Sequence, residues 1–152
     1  GVMGFSAGGH LASTVLTQGD RPVCTEIVLG CVPCHADFAI LGSPVVSLVN
    51  SQVAHKGSGR NLLGDDPSEE QRAELSAETQ VTASTAPTFC LHAKDDTGVP
   101  YANSTLLGEA LAEVGVPAEV FLMEDGGHGF GMRRRDWTQP LADWLKEQGF
   151  LG

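Results

Sequence analysis

The chain lacks several features that would assign it to other classes of protein. No apolar run approaches the ~18 residues a membrane span needs, so no segment reads as a membrane crossing. Basic residues are scarce: 9 Lys and Arg stand against 19 Asp and Glu, a formal charge of −10. Polyanion binders neutralise phosphates with Lys and Arg, so this balance argues against a nucleic-acid or general phosphate-binding role. The one basic cluster, Arg133, Arg134 and Arg135, reads as a solvated loop. There is no initiator methionine, signal peptide or transit sequence. The opening residues already belong to a motif, so the chain is expected to continue a longer protein, and cytoplasmic and secreted locations both stay open. Internal repeats, low-complexity runs and linkers are missing too. The 152 residues therefore read as one domain, of a size that buries roughly 68–70% of its unfolded surface.

Cysteine is present but patterned weakly. Of the four cysteines, Cys31 and Cys34 stand in C-V-P-C-H with His35, the spacing of c-type haem attachment, and Cys24 lies nearby. A tetrahedral zinc site needs four ligands, and no second C-x-x-C supplies the other half. The segment reads as loop and core cysteines, with a disulfide and a haem or metal protein as the rival readings. Cys90, within an apolar run, reads as a small buried hydrophobe.

Short apolar strands alternate with amphipathic helices, the pattern of an α/β layered domain with a mainly parallel sheet. Residues 1–3 read as the end of a strand, and 7–17 as a helix with Leu11, Val15, Ala12 and Leu16 turned inward. Residues 38–49 (F-A-I-L-G-S-P-V-V-S-L-V) form the clearest buried-strand candidate, ending where Pro44 withholds a donor. The stretch 52–64 is polar and glycine-rich. Ser68 and Gln71 then have capping-box spacing at the start of a short helix. Residues 79–87 read as loop, and 88–93 and 118–123 as strands. Between those strands Asn103 is expected to cap a helix that Gly115 closes. A last helix, over 137–148, aligns Trp137, Leu141, Trp144 and Leu145 and tolerates Pro140 only near its first turn.

Gly4-Phe5-Ser6-Ala7-Gly8 satisfies G-x-S-x-G, between an apolar stub and a helical pattern. Such a serine occupies a sharp strand-to-helix turn, and both glycines are expected because side chains there would collide with neighbouring elements. The turn lifts the hydroxyl above the sheet and points the Ala7 N–H at the helix mouth, where the dipole favours an oxyanion. A serine hydroxyl needs a base, and the base needs an orienting acid. In this strand-turn-helix version the chain order is Ser, Asp or Glu, then His. That order is here. K-D-D-T-G-V-P follows the strand at 88–93, and E-D-G-G-H-G-F follows the one at 118–123. Loops at the carboxyl ends of parallel strands are where α/β folds keep their chemistry. Spacing alone leaves Asp95 and Asp96 both open as the acid.

The pieces G-F-S-A-G-G-H-L-A (4–12), D-F-A-I-L-G-S-P-V (37–45), H-K-G-S-G-R-N-L-L-G (55–64), H-A-K-D-D-T-G-V-P (92–100) and G-G-H-G-F-G (126–131) resemble the α/β-hydrolase superfamily. Together with a W…L-x-D-W-L ending, they are most similar to bacterial esterases of the acetyl-xylan-esterase and dienelactone-hydrolase-like group. The resemblance implies an acid in D-x-x-V-P, hence Asp96, with Asp95 shaping or solvating the loop. It implies no metal or organic cofactor, and as substrate a small carboxylic ester, short-chain or sugar-linked. Catalysis is then expected from Ser6, Asp96 and His128, with Ala7 at the oxyanion. Phe130 and Met132, which follow the histidine loop, read either as lining of an acyl pocket, with Phe130 the candidate substrate contact, or as ordinary packing. Superfamily members also have strands before the serine strand and a loop there that donates a second oxyanion N–H. Without these the chain is expected either to self-associate along the exposed strand edge or to be a fragment of a longer enzyme. The alternative reading is a catalytically impaired remnant or assembly module. Among the other histidines, His10 reads as packing, His55 as surface or substrate contact, and His92 as a satisfied, partly buried imidazole.

Overall fold

A computed structural model describes residues 1–19, 35–129 and 134–152. Strands β1 (Val2–Phe5), β2 (Ala39–Gly42), β3 (Thr88–Ala93) and β4 (Ala118–Met123) form one sheet in the order β1-β2-β3-β4, every pairing parallel. Parallel neighbours need crossovers. Helix α1 (Ala7–Gln18) follows β1, α4 (Ala102–Glu113) joins β3 to β4, and α5 (Thr138–Glu147) follows β4. Between β2 and β3 come α2 (Lys56–Leu63), α3 (Glu69–Glu74) and a 3₁₀ turn, Ala77–Thr79.

Alternate residues of each strand face opposite ways. Leu41 and Cys90 pack with Ala12 and Leu16 of α1 and Leu107 and Leu111 of α4. Ile40, Phe89, Leu91 and Met123 pack on the other side with Trp144 of α5. The Phe89 and Trp144 rings meet at 5.7 Å in a tilted pair. Two covered faces explain why β2 and β3 read as unbroken apolar runs.

The strand expected over 38–49 stops at Gly42. Ser43 takes φ 41° and Pro44 follows, which ends the ladder, yet Val45 and Val46 stay fully buried. Buried backbone groups need partners, and Asn103 supplies them. Its Oδ1 accepts from Val46 N (3.0 Å) and Ser47 N (3.2 Å). Its Nδ2 donates to the carbonyls of Val53 (2.9 Å) and Pro100 (3.0 Å). The expectation that Asn103 caps a helix is therefore wrong: α4 is capped two residues earlier, at Tyr101. The Asn103 amide spends three of these four bonds on the irregular segment that replaces the strand and the fourth on Pro100 in its own loop.

The polar, glycine-rich stretch 52–64 is partly helical. It holds α2, capped by His55, whose Nδ1 accepts from Ser58 N at 3.1 Å. Gly57 and Gly59 dilute the periodicity that signals a helix. The capping box forms as read: Gln71 N donates to Ser68 Oγ (3.2 Å) and Ser68 N to Gln71 Oε1 (2.9 Å). Gly115, at φ 77°, closes α4.

Replacing Asn103 with leucine leaves several buried backbone groups without partners, each costing ~1–3 kcal/mol. Urea unfolding of Asn103→Leu is expected to show a loss of at least about 3 kcal/mol; a loss below about 1 kcal/mol would contradict this role.

Candidate active site

Three loops at the carboxyl ends of β1, β3 and β4 meet at one rim of the sheet. The first carries Ser6, at φ 53° and ψ −121°, between β1 and α1. A non-glycine residue there is strained and persists only where its surroundings fix it. Ser6 N donates to Gly42 O (2.9 Å), and Ser6 O accepts from His10 N (3.1 Å) and Val45 N (3.3 Å). The turn also needs Gly4, where a Cβ would lie 2.1 Å from the carbonyl oxygen of Gly8. Gly8 differs from expectation: a Cβ there would meet nothing within 4 Å among the described residues. The second crowded glycine is Gly9, outside the motif, whose Cβ would lie 2.9 Å from Pro44 Cβ. Helix packing against the segment after β2 sets that requirement.

The second loop follows β3. Asp96 is 6% exposed. Its Oδ1 accepts from the backbone N–H groups of Gly98 and Val99, both at 2.9 Å. Burial pushes this carboxyl up, but the Val99 N–H, His128 and the Gly98 N–H together outweigh it and hold the group below the ordinary carboxylate range. Asp96 is therefore ionised at neutral pH.

The third loop follows β4. His128 is flanked by Gly127 (φ 60°) and Gly129 (φ 80°), left-handed positions that let the chain turn sharply around the ring. Its Nδ1 donates to Asp96 Oδ2 at 2.8 Å. A carboxylate only accepts, so the neutral ring leaves Nε2 as acceptor for the Ser6 hydroxyl, 2.8 Å away. The structure thus brings Ser6, His128 and Asp96 into one hydrogen-bonded chain.

Asp95 points elsewhere. Its Oδ1 accepts from Gly127 N at 2.8 Å, tethering the histidine loop to the β3 loop, and this bond lowers its carboxyl from the ordinary value. An ion pair between Lys94 and Glu124 spans the same two loops at 2.5 Å; being exposed, it adds little stability.

Ala7, exposed, is the first residue of α1, and its N–H is among the first-turn donors without an intrahelical acceptor. His10 donates from Nε2 to Leu75 O (2.7 Å) and does not join the Ser6 group. His55 serves as the α2 cap. His92 is fully buried, more than its sequence context implies. Arg134 pairs with Asp125 and Asp136. Phe130, Met132, Arg133, Cys24, Cys31 and Cys34 lie outside the described residues. Among the described residues no cluster of three or more His, Cys, Asp or Glu could hold a metal, and no helix is long and apolar enough to cross a membrane. A cleft of about 360 Å³, lined by Ala7, Leu11, Leu48, Leu62 and Leu75 among others, opens at the first turn of α1. Sequence periodicity hid it, because Leu11 reads there as an inward residue but is 67% exposed.

These contacts separate the two glycines of the motif. Gly4→Ala is expected to abolish the cooperative thermal transition, whereas Gly8→Ala should move its midpoint by no more than about 3 °C, on the order of 1 kcal/mol. Equal tolerance at both positions, measured by circular dichroism, would contradict this packing.

Comparison with known proteins agrees with the resemblance carried by the motifs. The acetylxylan esterase of Xylanibacter ruminicola is 32% identical over 96% of this chain, and endo-1,4-beta-xylanase B of Butyrivibrio fibrisolvens is 32% identical over 84% of it. The chain spans 30% and 20% of their lengths. The acetyl ester-xyloside bifunctional hydrolase from Caldicellulosiruptor lactoaceticus superposes on all of this chain with a TM-score of 0.86 and 39% identity, over 57% of its own length. The sheet, its flanking helices and these neighbours make the fold that of the α/β-hydrolase esterases. With the sequence profile of the prolyl oligopeptidase family matching residues 1–149, the chain belongs to that family.

Proposed function

We propose that the chain hydrolyses carboxylic esters through an acyl-enzyme on Ser6. The observation that carries this reading is the continuous chain of bonds from Ser6 Oγ through His128 to Asp96 Oδ2, each 2.8 Å long. In the first half-reaction Ser6 Oγ attacks the ester carbonyl while its proton passes to His128 Nε2. The Asp96 carboxylate keeps the ring in the Nδ1–H form and offsets the imidazolium charge. The Ala7 N–H donates to the oxyanion. His128 then returns the proton to the leaving alkoxide, the C–O bond breaks, and the acyl group stays on Ser6. Water, deprotonated by the same ring, releases the acid and restores the serine.

The apolar cleft beside Ala7 suits a small ester group, and the neighbours named as acetylxylan esterase and acetyl ester-xyloside hydrolase point to acetyl esters on sugars. No metal or organic cofactor takes part in this route.

One observation favours the rival reading of an impaired or assembly module. The chain spans 57% of that hydrolase, and β1 is an edge strand of the described sheet. The unpaired backbone groups of an edge strand are a template for pairing with another chain, which is what an assembly module would use.

Initial rates on p-nitrophenyl acetate separate the two. The ester-hydrolase reading expects Ser6→Ala and His128→Ala each to lower kcat by at least ~10³-fold, and Asp96→Asn by ~10³–10⁴-fold. Equal rates for the unmodified protein and Ser6→Ala would leave the rival reading standing.

A further inference from the structure

His92 ends up closer to the chemistry than a satisfied core histidine needs to be. It lies on β3, four residues before Asp96, and is 0% exposed. Its Nε2 is 2.9 Å from Val99 O and 3.2 Å from Asp96 Oδ2. Its Nδ1 is 2.8 Å from the hydroxyl of Ser104, a buried residue of α4. A carbonyl oxygen accepts and never donates, so Nε2 carries the ring proton and Nδ1 accepts from Ser104. Val99 O alone would satisfy that proton. The second acceptor within reach is the Asp96 oxygen that already receives His128 Nδ1–H. Asp96 therefore accepts from two backbone N–H groups on Oδ1 and from His128 on Oδ2, with the His92 Nε2 3.2 Å from that same oxygen.

We propose that His92 is a positioning residue for Asp96: its Nε2–H fixes the rotation of the carboxylate and withdraws charge from Oδ2, so that His128 meets one fixed acceptor of moderated strength. This rests on the assignment of Ser6, His128 and Asp96 to ester hydrolysis. The bonds close on themselves, since Val99 N donates to Asp96 Oδ1 while Val99 O accepts from His92. The acid loop is thereby clamped to its own strand. The ionisable groups around His92 are Asp96 on its loop, His128 from the β4 loop, and the Cys90 thiol beyond Ser104, pushed up to about 12 by burial. Burial also drives the His92 ring below the ordinary histidine value, against the Val99 carbonyl and Asp96, which favour its charged form. That shift favours the neutral, Nε2–H form of the ring.

The sign of the effect follows. A carboxylate that loses one donor holds more charge on Oδ2, and a stronger acceptor favours the imidazolium form of His128. In the protein as its full reading frame encodes it, His92→Phe is expected to lower kcat by ~10-fold or more with KM little changed. It should also move the acid limb of the kcat/KM profile upward by ~0.5 pH unit or more. His92→Gln, which places an N–H at the same depth, should recover most of both. Unaltered kcat and acid limb in His92→Phe, with Ser6→Ala inactive, would overturn the role of His92 alone. A fall in kcat without a shifted limb, not recovered by glutamine, would reduce it to core packing. Full activity of Ser6→Ala would instead remove the underlying assignment. Should the variants not fold, ¹⁵N NMR of the unmodified protein decides. The ring is expected in the neutral Nε2–H tautomer across the pH range of the acid limb, and a proton on Nδ1 in that range would contradict the proposal.

Discussion

A serine held at φ 53° has to be forced there by its neighbours, and the rest of this site depends on that constraint. The force is local and identifiable. Gly42 at the end of β2 accepts from Ser6 N, while His10 N in α1 and Val45 N in the segment after β2 donate to Ser6 O. Each of these partners is set by packing on the sheet: α1 lies against β2 through Ala12 and Leu16, and Val45 is fully buried. Strain at one residue, of order 1–3 kcal/mol, is thus offset by a core that would have to open for the turn to relax. The result is a hydroxyl fixed in space at the rim where the other two loops arrive.

Those loops are held differently. Asp96 is anchored by the backbone N–H groups of Gly98 and Val99 within its own turn, and that turn is tied back to β3 through the Val99 carbonyl and His92. His128 sits in a glycine-rich loop with a half-exposed ring, and needs help from outside. Asp95 gives it by accepting from Gly127 N. Adjacent aspartates therefore have separate work: one faces inward to the ring's Nδ1, the other outward to the backbone that carries the ring. A parallel sheet makes this convergence natural, because β1, β3 and β4 all end at the same rim.

Much of this was legible in the residues. Apolar runs bounded by turn signals marked β3 and β4 to their ends, and the order serine, aspartate, histidine identified which loops would meet. The serine-to-glycine spacing implied the elbow but misjudged which glycine is crowded, since Gly9 is constrained by Pro44, distant in the chain. The run over 38–49 shows the limit most clearly. Burial, which composition reports, continues past Gly42, while the hydrogen-bond ladder, which composition does not report, ends there. The partner that replaces the ladder is Asn103, and nothing around Asn103 in the chain announces a contact with Val46 or Val53. Helix α2 escaped for a related reason: its cap is a histidine, and its glycines blur the helical period. Likewise the approach of His92 Nε2 to both Val99 O and Asp96 Oδ2 exists only in three dimensions.

The central claim is that Ser6 Oγ is the nucleophile, and labelling with a fluorophosphonate tests it most directly. Such a reagent phosphonylates a serine only where a base and oxyanion donors already activate it. Peptide mass mapping after stoichiometric reaction should place a single adduct on Ser6. An adduct on any other serine, or an unmodified Ser6 in protein that still hydrolyses esters, would contradict the account.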